Sequence, residues 1–149
     1  MSIAVYLRPE ITVGGKVIYL AGPMTGIPYF NFPRFNAVTN VLRQYGNTVF
    51  NPAERDIERH GGVDLSKTNL TGNQAQAAAE HGFSLADALT DDLSFIMHKA
   101  TDVVFLPGWE FSSGANLEWD TAKIFKRGFM YLTERECLMI EQMEKIDVV

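Results

Sequence analysis

One segment constrains the fold of this chain more than any other: an apolar run from Asp102 to Leu106 that stops at Pro107-Gly108. A loop of small polar residues follows, and then a helix whose first turns carry Glu118. In an open α/β sheet, ligands bind in the crevice at the carboxyl ends of the strands. We therefore expect the Glu118 carboxylate to stand at such a crevice, beside the free backbone N–H groups of a helix start.

The rest of the chain alternates short β-rich runs with amphipathic stretches. Val17–Ala21 is a typical buried strand, and a helix with one apolar face is expected from about Phe32 to Tyr45. This alternation predicts a single α/β domain of 149 residues, with a mainly parallel sheet of about four to five strands covered on both faces. The other expected elements are strands at 48–50, 102–106 and 129–132, a helix at 85–99, the Glu118 helix to about Lys126 with Gly128 ending it, and a helix at 134–145.

The first residues and the middle of the chain are less regular. Ala4–Leu7 is a candidate edge strand, and residues 56–84 form an excursion in which the Ala-rich segment Gln74–His81 is a candidate short helix. The excursion is expected to be either a mobile lid or a solvated insertion. Ser84 is expected to cap the next helix, whose predicted apolar stripe comprises Leu85, Leu89, Leu93, Ile96 and Met97.

Composition excludes several functional classes. A net charge of -5 argues against an extended nucleic-acid surface, although a small anionic ligand remains compatible with it. Cys137 is the only cysteine, which excludes an intrachain disulfide and fits a reducing cytoplasm. The three histidines lack metal-ligand spacing, and we expect neither a signal peptide nor a membrane span.

The start of the Glu118 helix is a candidate anion site. Free N–H groups lie near Ser113, Gly114 and Ala115, and the Ser112 hydroxyl is a further donor. Because helical side chains lean toward the N-terminus, Glu118 is expected to point back toward this site. Alternatively, Ser112 only caps the helix and Glu118 is a surface residue that compensates the helix dipole.

Asp92 and Tyr19 are the other candidate reactive residues. Asp92 lies in the middle of a predicted helix, where Asp is a poor helix former, and its plain interpretation is a solvated charge like its neighbour Asp91. If Asp92 instead faces the crevice, it supplies the second of the two carboxylates that cleave a glycosidic bond when they lie ~5 Å apart. Tyr19 is either a core residue or a phenol that orients a carboxylate.

The loop that follows the first strand, Gly22-Pro23-Met24-Thr25-Gly26, lacks two common nucleotide-binding patterns. It has neither the glycine spacing of a dinucleotide-binding loop nor the Gly-Lys-Ser/Thr ending of a P-loop. Dinucleotide and ATP binding are therefore disfavoured.

Five motifs occur along this chain in a fixed order: Ile18–Gly26, Asn31 with Phe35, Asn51–Glu54, Leu106–Glu110, and the set Ser112, Gly114, Ala115 and Glu118. In these motifs the chain resembles a small family, found in phages and bacteria, that is grouped with the nucleoside 2-deoxyribosyltransferases and the 2'-deoxynucleoside 5'-phosphate N-hydrolases. The resemblance extends over roughly residues 16–131.

The resemblance implies a flavodoxin-like or Rossmann-like three-layer fold and cleavage of an N-glycosidic bond through a covalent glycosyl-enzyme. Glu118 matches the family's nucleophile, Asp92 the acidic residue before the third strand, Tyr19 the tyrosine that holds the nucleophile, and Ser112 the serine that binds the 5'-phosphate. No metal or organic cofactor is implied. Residues implied to border the substrate are Ser113, Gly114, Ala115, Gly22, Pro23, Met24, Gly26, Asn31 and Trp109. The candidates for stacking on the base are Trp109, Phe30 and Tyr29. Trp109 is equally a candidate for the core.

The expected function is hydrolysis of a 2'-deoxynucleoside 5'-monophosphate. Hydrolysis is favoured over base exchange because the sequence, which finishes Lys145–Val149, shows no counterpart of the C-terminal Asn that transferases lend to a neighbouring subunit. The alternatives are a base-exchanging transferase, a non-catalytic nucleotide-binding protein and a phosphoribohydrolase that acts on ribonucleotides. The resemblance also implies a homodimer or larger homo-oligomer, in the host cytoplasm if a phage encodes the chain.

Overall fold

A computed structural model describes residues 7–147, in which four parallel strands form one sheet. The strands are β1 (Val17–Ala21), β2 (Thr48–Phe50), β3 (Asp102–Phe105) and β4 (Gly128–Tyr131), in the order β2-β1-β3-β4. The predicted α/β class is therefore confirmed. The helices are α1 (Phe32–Gln44), α2 (Pro52–Arg59), α3 (Gln74–His81), α4 (Leu85–His98), α5 (Ser113–Ile124) and α6 (Glu134–Asp147).

Helices cover both faces of the sheet and complete a Rossmann-like three-layer sandwich. Helices α1 and α6 contact each other over one face, and α4 and α5 contact each other over the opposite face. Successive side chains of a strand alternate between the faces, so Ile18 and Leu20 enter the core beneath α1 whereas Tyr19 and Ala21 enter the core beneath α4 and α5. The central strand therefore directs Tyr19 toward α4 and α5.

Helix α5 ends earlier than its sequence predicts. It stops at Ile124 because the chain turns at Lys126, which adopts a left-handed conformation with φ 56°. Gly128 does not end this helix but opens β4, where its N–H donates to the Thr101 carbonyl oxygen at 2.9 Å. A Cβ at Gly128 would lie 2.2 Å from the Asp102 carboxylate, so the glycine allows β3 and β4 to approach.

The buried ridge of α4 is not the apolar stripe that the sequence predicts. Ala88, Asp92 and Ile96, which are four residues apart, are the buried residues of this helix. Leu85, predicted to be buried, is 46% exposed. The difference arises because the first turns of α4 border an open cavity instead of the sheet, so Leu85 and Leu89 line that cavity.

Side-chain caps fix the starts of α4 and α6. The Ser84 hydroxyl accepts from the N–H of Asp87 at 3.3 Å, which confirms the predicted cap. At α6, the Thr133 hydroxyl accepts from the N–H of Glu136 at 3.1 Å, and the Glu136 carboxylate accepts from the N–H of Thr133 at 2.9 Å. This reciprocal pair is a capping box.

Sequence analysis missed α2. The Asn51 side chain caps this helix by accepting from the N–H of Ala53 at 2.9 Å, and Pro52 occupies the first helical position. The Asn-Pro pair therefore both ends β2 and begins a helix. As a result, the predicted start of the excursion at Asp56 falls inside α2.

The remainder of the excursion packs onto the loop that follows β1. Leu65 and Asn69 are buried, so this segment is not a solvated insertion. The Gly26 N–H donates to the Gly72 carbonyl at 2.8 Å, and the Tyr29 N–H donates to the Asn69 carbonyl at 2.9 Å. The candidate helix at 74–81 is confirmed as α3.

The two ends of the described chain meet beside β4. Residues 4–6 of the predicted edge strand lie outside the described residues, whereas the neighbouring Arg8 pairs with Glu136 of α6 at 2.8 Å.

Cys137, one residue further along α6, is fully buried, and burial raises the pKa of its thiol to about 12. Within residues 7–147, no helix has the length and apolar character needed to cross a membrane.

Docking of the excursion predicts unequal effects for two glycine substitutions. Gly72 and Gly61 both have positive φ, 67° and 68°, but a Cβ at Gly72 would lie 2.2 Å from the Ile27 carbonyl oxygen whereas a Cβ at Gly61 meets nothing within 4 Å. We expect Gly61→Ala to cost about 1 kcal/mol of backbone strain and Gly72→Ala a further 1–3 kcal/mol, roughly the cost of overpacking. Thermal unfolding and proteolysis within residues 60–84 measure both. Equal losses would contradict close docking.

Candidate active site

A cavity of about 700 Å³ opens at the carboxyl edge of the sheet. Its walls are the loop after β1, helix α2, the first half of α4, the start of α5 and part of the excursion. This is the position where open parallel sheets bind ligands. Three chemically reactive side chains, Tyr19, Asp92 and Glu118, lie together on its wall.

These three side chains form one buried cluster, in which Tyr19 and Glu118 are hydrogen-bonded. The Tyr19 hydroxyl donates to Oε2 of Glu118 and also lies beside the Asp92 carboxylate. Tyr19 is fully buried, Glu118 is 5% exposed and Asp92 is 8% exposed. The interpretation of Glu118 and Asp92 as solvated surface charges is therefore wrong.

Local structure explains how each carboxylate reaches the cavity. Glu118 lies about one and a half turns into α5, and the lean of helical side chains carries its carboxylate back toward the helix start. Asp92 belongs to the buried ridge of α4. Its neighbour Asp91 points elsewhere and pairs with Arg59 at 2.7 Å, so only one of the two adjacent aspartates enters the site.

Burial and nearby negative charges raise the pKa of both carboxyls. For Asp92, burial is the main cause, the nearby Asp56 charge adds to it, and the pKa rises to about 7. For Glu118, burial followed by the Asp92 charge raises the pKa well above its usual value, while the hydrogen bond from Tyr19 opposes this. We therefore expect the pair to retain a proton near neutral pH, as two like charges at one site cannot both ionise freely.

The start of α5 supplies hydrogen-bond donors to the same cavity. Ser112 caps the helix, as its hydroxyl oxygen accepts from the Ala115 N–H at 3.2 Å. The N–H groups of Ser113 and Gly114 have no acceptor among the described residues, and both residues line the cavity. The described lining contains no Lys, Arg or His. An anion there would depend on backbone donors and the Ser112 hydroxyl.

The loop after β1 contributes only part of what the sequence predicts. Gly22, Pro23 and Met24 line the cavity, and Gly22 packs so closely on Leu106 that a Cβ would lie 2.8 Å from the Leu106 Cβ. Gly26 is not among the lining residues. Its N–H instead anchors the excursion.

A left-handed turn follows this loop. Tyr29, Phe30 and Asn31 have φ values of 56°, 53° and 61°, a conformation that is unfavourable for residues other than glycine. The turn buries Phe30 at the cavity wall and leaves Tyr29 outside it. Asn31 is not a lining residue either, because its side-chain amide donates to the Pro23 carbonyl at 3.1 Å and supports the loop.

Trp109 lies away from the cavity. Its ring packs against Phe105, Tyr131 and Trp119, with centroid distances of 4.9, 5.7 and 6.3 Å. Of the two interpretations of Trp109, the structure therefore supports the core residue and not the stacking platform. Phe30 is the one of the three stacking candidates that lines the cavity.

Asp56 is a cavity residue that sequence analysis missed. It lies on α2, is 6% exposed and pairs with Arg59 one turn further along the helix. The missed signal is the Asn51-Pro52 pair, which starts α2 at the carboxyl end of β2 and so places Asp56 at the ligand edge. Within residues 7–145, no group of three His, Cys, Asp or Glu side chains is placed to hold a metal ion.

The raised pKa of Asp92 predicts a pH-dependent loss of stability. The folded protein holds a proton that the unfolded chain releases near pH 4, so this contribution is present at low pH and is lost as pH rises toward about 7. Asp92→Asn cannot ionise, and we expect it to be more stable than wild type by up to about 4 kcal/mol at pH 8 but not at pH 4, because each unit of the raised pKa corresponds to about 1.4 kcal/mol. Denaturant unfolding at both pH values measures the difference, with Asp91→Asn as the control outside the cavity. A gain that is independent of pH would contradict the buried-acid interpretation.

Comparison with protein families gives one match. Residues 16–131 match the model of DUF4406, a domain of unknown function, and this range contains the whole sheet and every reactive side chain of the cavity. No curated protein and no solved structure matches the chain. Since the matched range covers most of the 149 residues, the chain belongs to the DUF4406 family.

Proposed function

We propose that this protein hydrolyses the N-glycosidic bond of a 2'-deoxynucleoside 5'-monophosphate through a covalent intermediate on Glu118. The observation that carries the proposal is the buried group formed by Tyr19, Glu118 and Asp92 at the cavity wall. Two carboxyl groups beside one cavity are the usual equipment for glycoside cleavage. The sequence resemblance to N-glycosidic enzymes agrees with this chemistry.

Glu118 is the nucleophile in this proposal. With the shared proton of the pair on Asp92, the ionised Glu118 carboxylate attacks the anomeric carbon while the bond from that carbon to the base breaks, through an oxocarbenium-like transition state. The Tyr19 hydroxyl holds Oε2 of Glu118, which fixes the direction of the carboxylate before substrate arrives. The product of this step is a glycosyl ester on Glu118.

Asp92 is the general acid and then the general base. With a pKa of about 7 it is substantially protonated at neutral pH, so it can donate its proton to the departing base. The resulting carboxylate then takes a proton from water, which attacks the anomeric carbon and releases Glu118. These steps need only side chains and water.

The start of α5 holds the 5'-phosphate in this proposal. The open N–H groups of Ser113 and Gly114 and the positive end of the helix dipole favour an anion there, and the Ser112 hydroxyl still has its own proton to donate. Glu118 lies on the same helix, about one and a half turns further along. Phosphate binding therefore brings the sugar to the nucleophile.

A purely sequestering protein is a weaker proposal. Burying two carboxyls side by side costs folding free energy, and groups with pKa values raised in this way are typical of catalytic sites. A protein that only binds a nucleotide does not require two adjacent buried carboxyls. Base exchange would use the same three residues, and an added acceptor base distinguishes it.

Glu118→Gln is expected to reduce turnover at least about a thousandfold while the fold survives, because the amide keeps the shape but is no nucleophile. The measurement is free-base release from a panel of deoxyribonucleoside and ribonucleoside 5'-monophosphates, with and without acceptor bases. Glu110→Gln, an exposed glutamate on the turn before α5, is the matched control. Equal activity in both variants would rule out the nucleophile. Release that requires an acceptor base would identify a transferase.

Ser112→Ala is expected to raise KM for 5'-monophosphates about tenfold, with a smaller change for the free nucleosides, because the hydroxyl contacts only the phosphate. The variant also loses a helix cap, at a cost of about 1 kcal/mol. Ser112→Thr keeps both the hydroxyl and the cap and should restore phosphate binding. Equal losses on nucleosides and nucleotides would contradict the phosphate role.

A further inference from the structure

Asp56 is a buried carboxylate of the cavity that the proposed mechanism does not use. The Arg59 guanidinium donates to its Oδ1, while Oδ2 accepts no hydrogen bond from the residues that the structure describes. Arg59 is itself fixed by Asp91, at 2.7 and 3.1 Å. Arg59 thus fixes the Asp56 carboxylate through Oδ1. The carboxylate lines the cavity, and its Oδ2 remains a free acceptor.

Sheet topology places Asp56 opposite the start of α5. Helix α2 follows β2 and helix α5 follows β3, and these two strands flank β1, which carries Tyr19. The two flanking strands are about 10 Å apart, twice the spacing of neighbouring strands. A nucleotide with its phosphate at the start of α5 and its sugar at Glu118 therefore directs its base toward α2 and Asp56.

The α2 side of the cavity suits a flat ring. Phe83, Leu65 and Pro52 line it together with Asp56. The Phe83 ring stacks near His60 at the end of α2, with centroids 6.3 Å apart, so an aromatic surface stands on this side. Aromatic side chains stack on bases without selecting strongly among them. Among these lining residues only Asp56 has a polar side chain, so selection between bases falls to Asp56 on this side.

We propose that Asp56 determines base specificity: its Oδ2 accepts a hydrogen bond from the exocyclic amino group of the nucleobase. The substrates would be nucleotides of amino-bearing bases, of the cytosine or adenine type, and not their keto counterparts. This inference rests on the proposed function for the orientation of the nucleotide. An ionised carboxylate is only an acceptor, so a keto oxygen facing it would leave two buried acceptors without a donor.

The charge state of Asp56 fits this role. Burial raises the pKa of Asp56, but the Arg59 guanidinium opposes the shift through its hydrogen bond and its charge. Arg59 thereby favours the ionised, acceptor-only form. Sites built to hydrogen-bond one substrate group reject analogues that lack it far more strongly than apolar pockets do.

The test compares matched substrate pairs that differ by an amino or a keto group. These are the 5'-monophosphates of 2'-deoxycytidine against 2'-deoxyuridine and of 2'-deoxyadenosine against 2'-deoxyinosine. We expect wild type to favour the amino member of a pair at least about tenfold in kcat/KM. In Asp56→Asn, whose amide can also donate, the preference should fall to within about threefold. Glu58→Gln changes an exposed carboxylate of the same helix that does not line the cavity, and it should keep the preference.

Binding of the same four nucleotides to Glu118→Gln, measured by calorimetry, separates this inference from the proposed function. Turnover without an amino preference in wild type overturns the role of Asp56 and leaves the glycosidase. A preference that persists in Asp56→Asn does the same. A third outcome is that wild type shows no turnover, Glu118→Gln binds the amino nucleotides selectively, and the double variant Glu118→Gln, Asp56→Asn loses that selectivity. This outcome supports the role of Asp56 and overturns the glycosidase. Binding of none of the four nucleotides overturns both.

Discussion

The hydrogen bond from Tyr19 to Glu118 is the contact around which the structure is organised. It joins the inner strand β1 to a helix whose Glu118 lies 99 residues further along the chain, and both side chains are almost entirely buried. Burying a carboxyl beside another one costs free energy, and Asp92 brings that second carboxyl from α4. The core on this side of the sheet, formed by Val103, Phe105 and Ile96, must therefore offset the cost of the polar group that it surrounds.

Segments with little regular structure complete the enclosure of this polar group. The left-handed turn at residues 29–31 is held by the excursion, since the Tyr29 N–H donates to the Asn69 carbonyl. The excursion in turn brings Leu65 and Phe83 to the cavity wall. Backbone strain of this kind persists only where the surrounding structure fixes it. A strained turn and a docked excursion therefore together form part of the wall around this polar group.

Local sequence signals predict much of the fold and less of the site. The β-rich runs, the Ser84 cap and the alternation of elements identify the sheet and most helices, because these depend on neighbouring residues. The burial of Asp92 depends on how far α4 extends past the sheet, which no local pattern encodes. The place of Trp109 is also not predictable from local sequence. A ring beside a loop can pack in the core or stack on a ligand, and only its neighbours in the fold, such as Phe105, decide between the two. Asp56 is not predictable from its neighbours, because the Asn51-Pro52 pair marks the end of a strand and also begins the helix that carries Asp56.

The buried thiol of Cys137 has a consequence for experiments on this chain. Thiolates are the reactive form of cysteine, and a thiol with a pKa of about 12 is almost entirely protonated at neutral pH. Because no other cysteine is present, a new one introduced at the surface would be the single site for a maleimide dye. Phe111, 91% exposed at the rim of the cavity, offers such a position. The native chain thus needs no prior removal of cysteines before fluorescence is used to follow events at the cavity mouth.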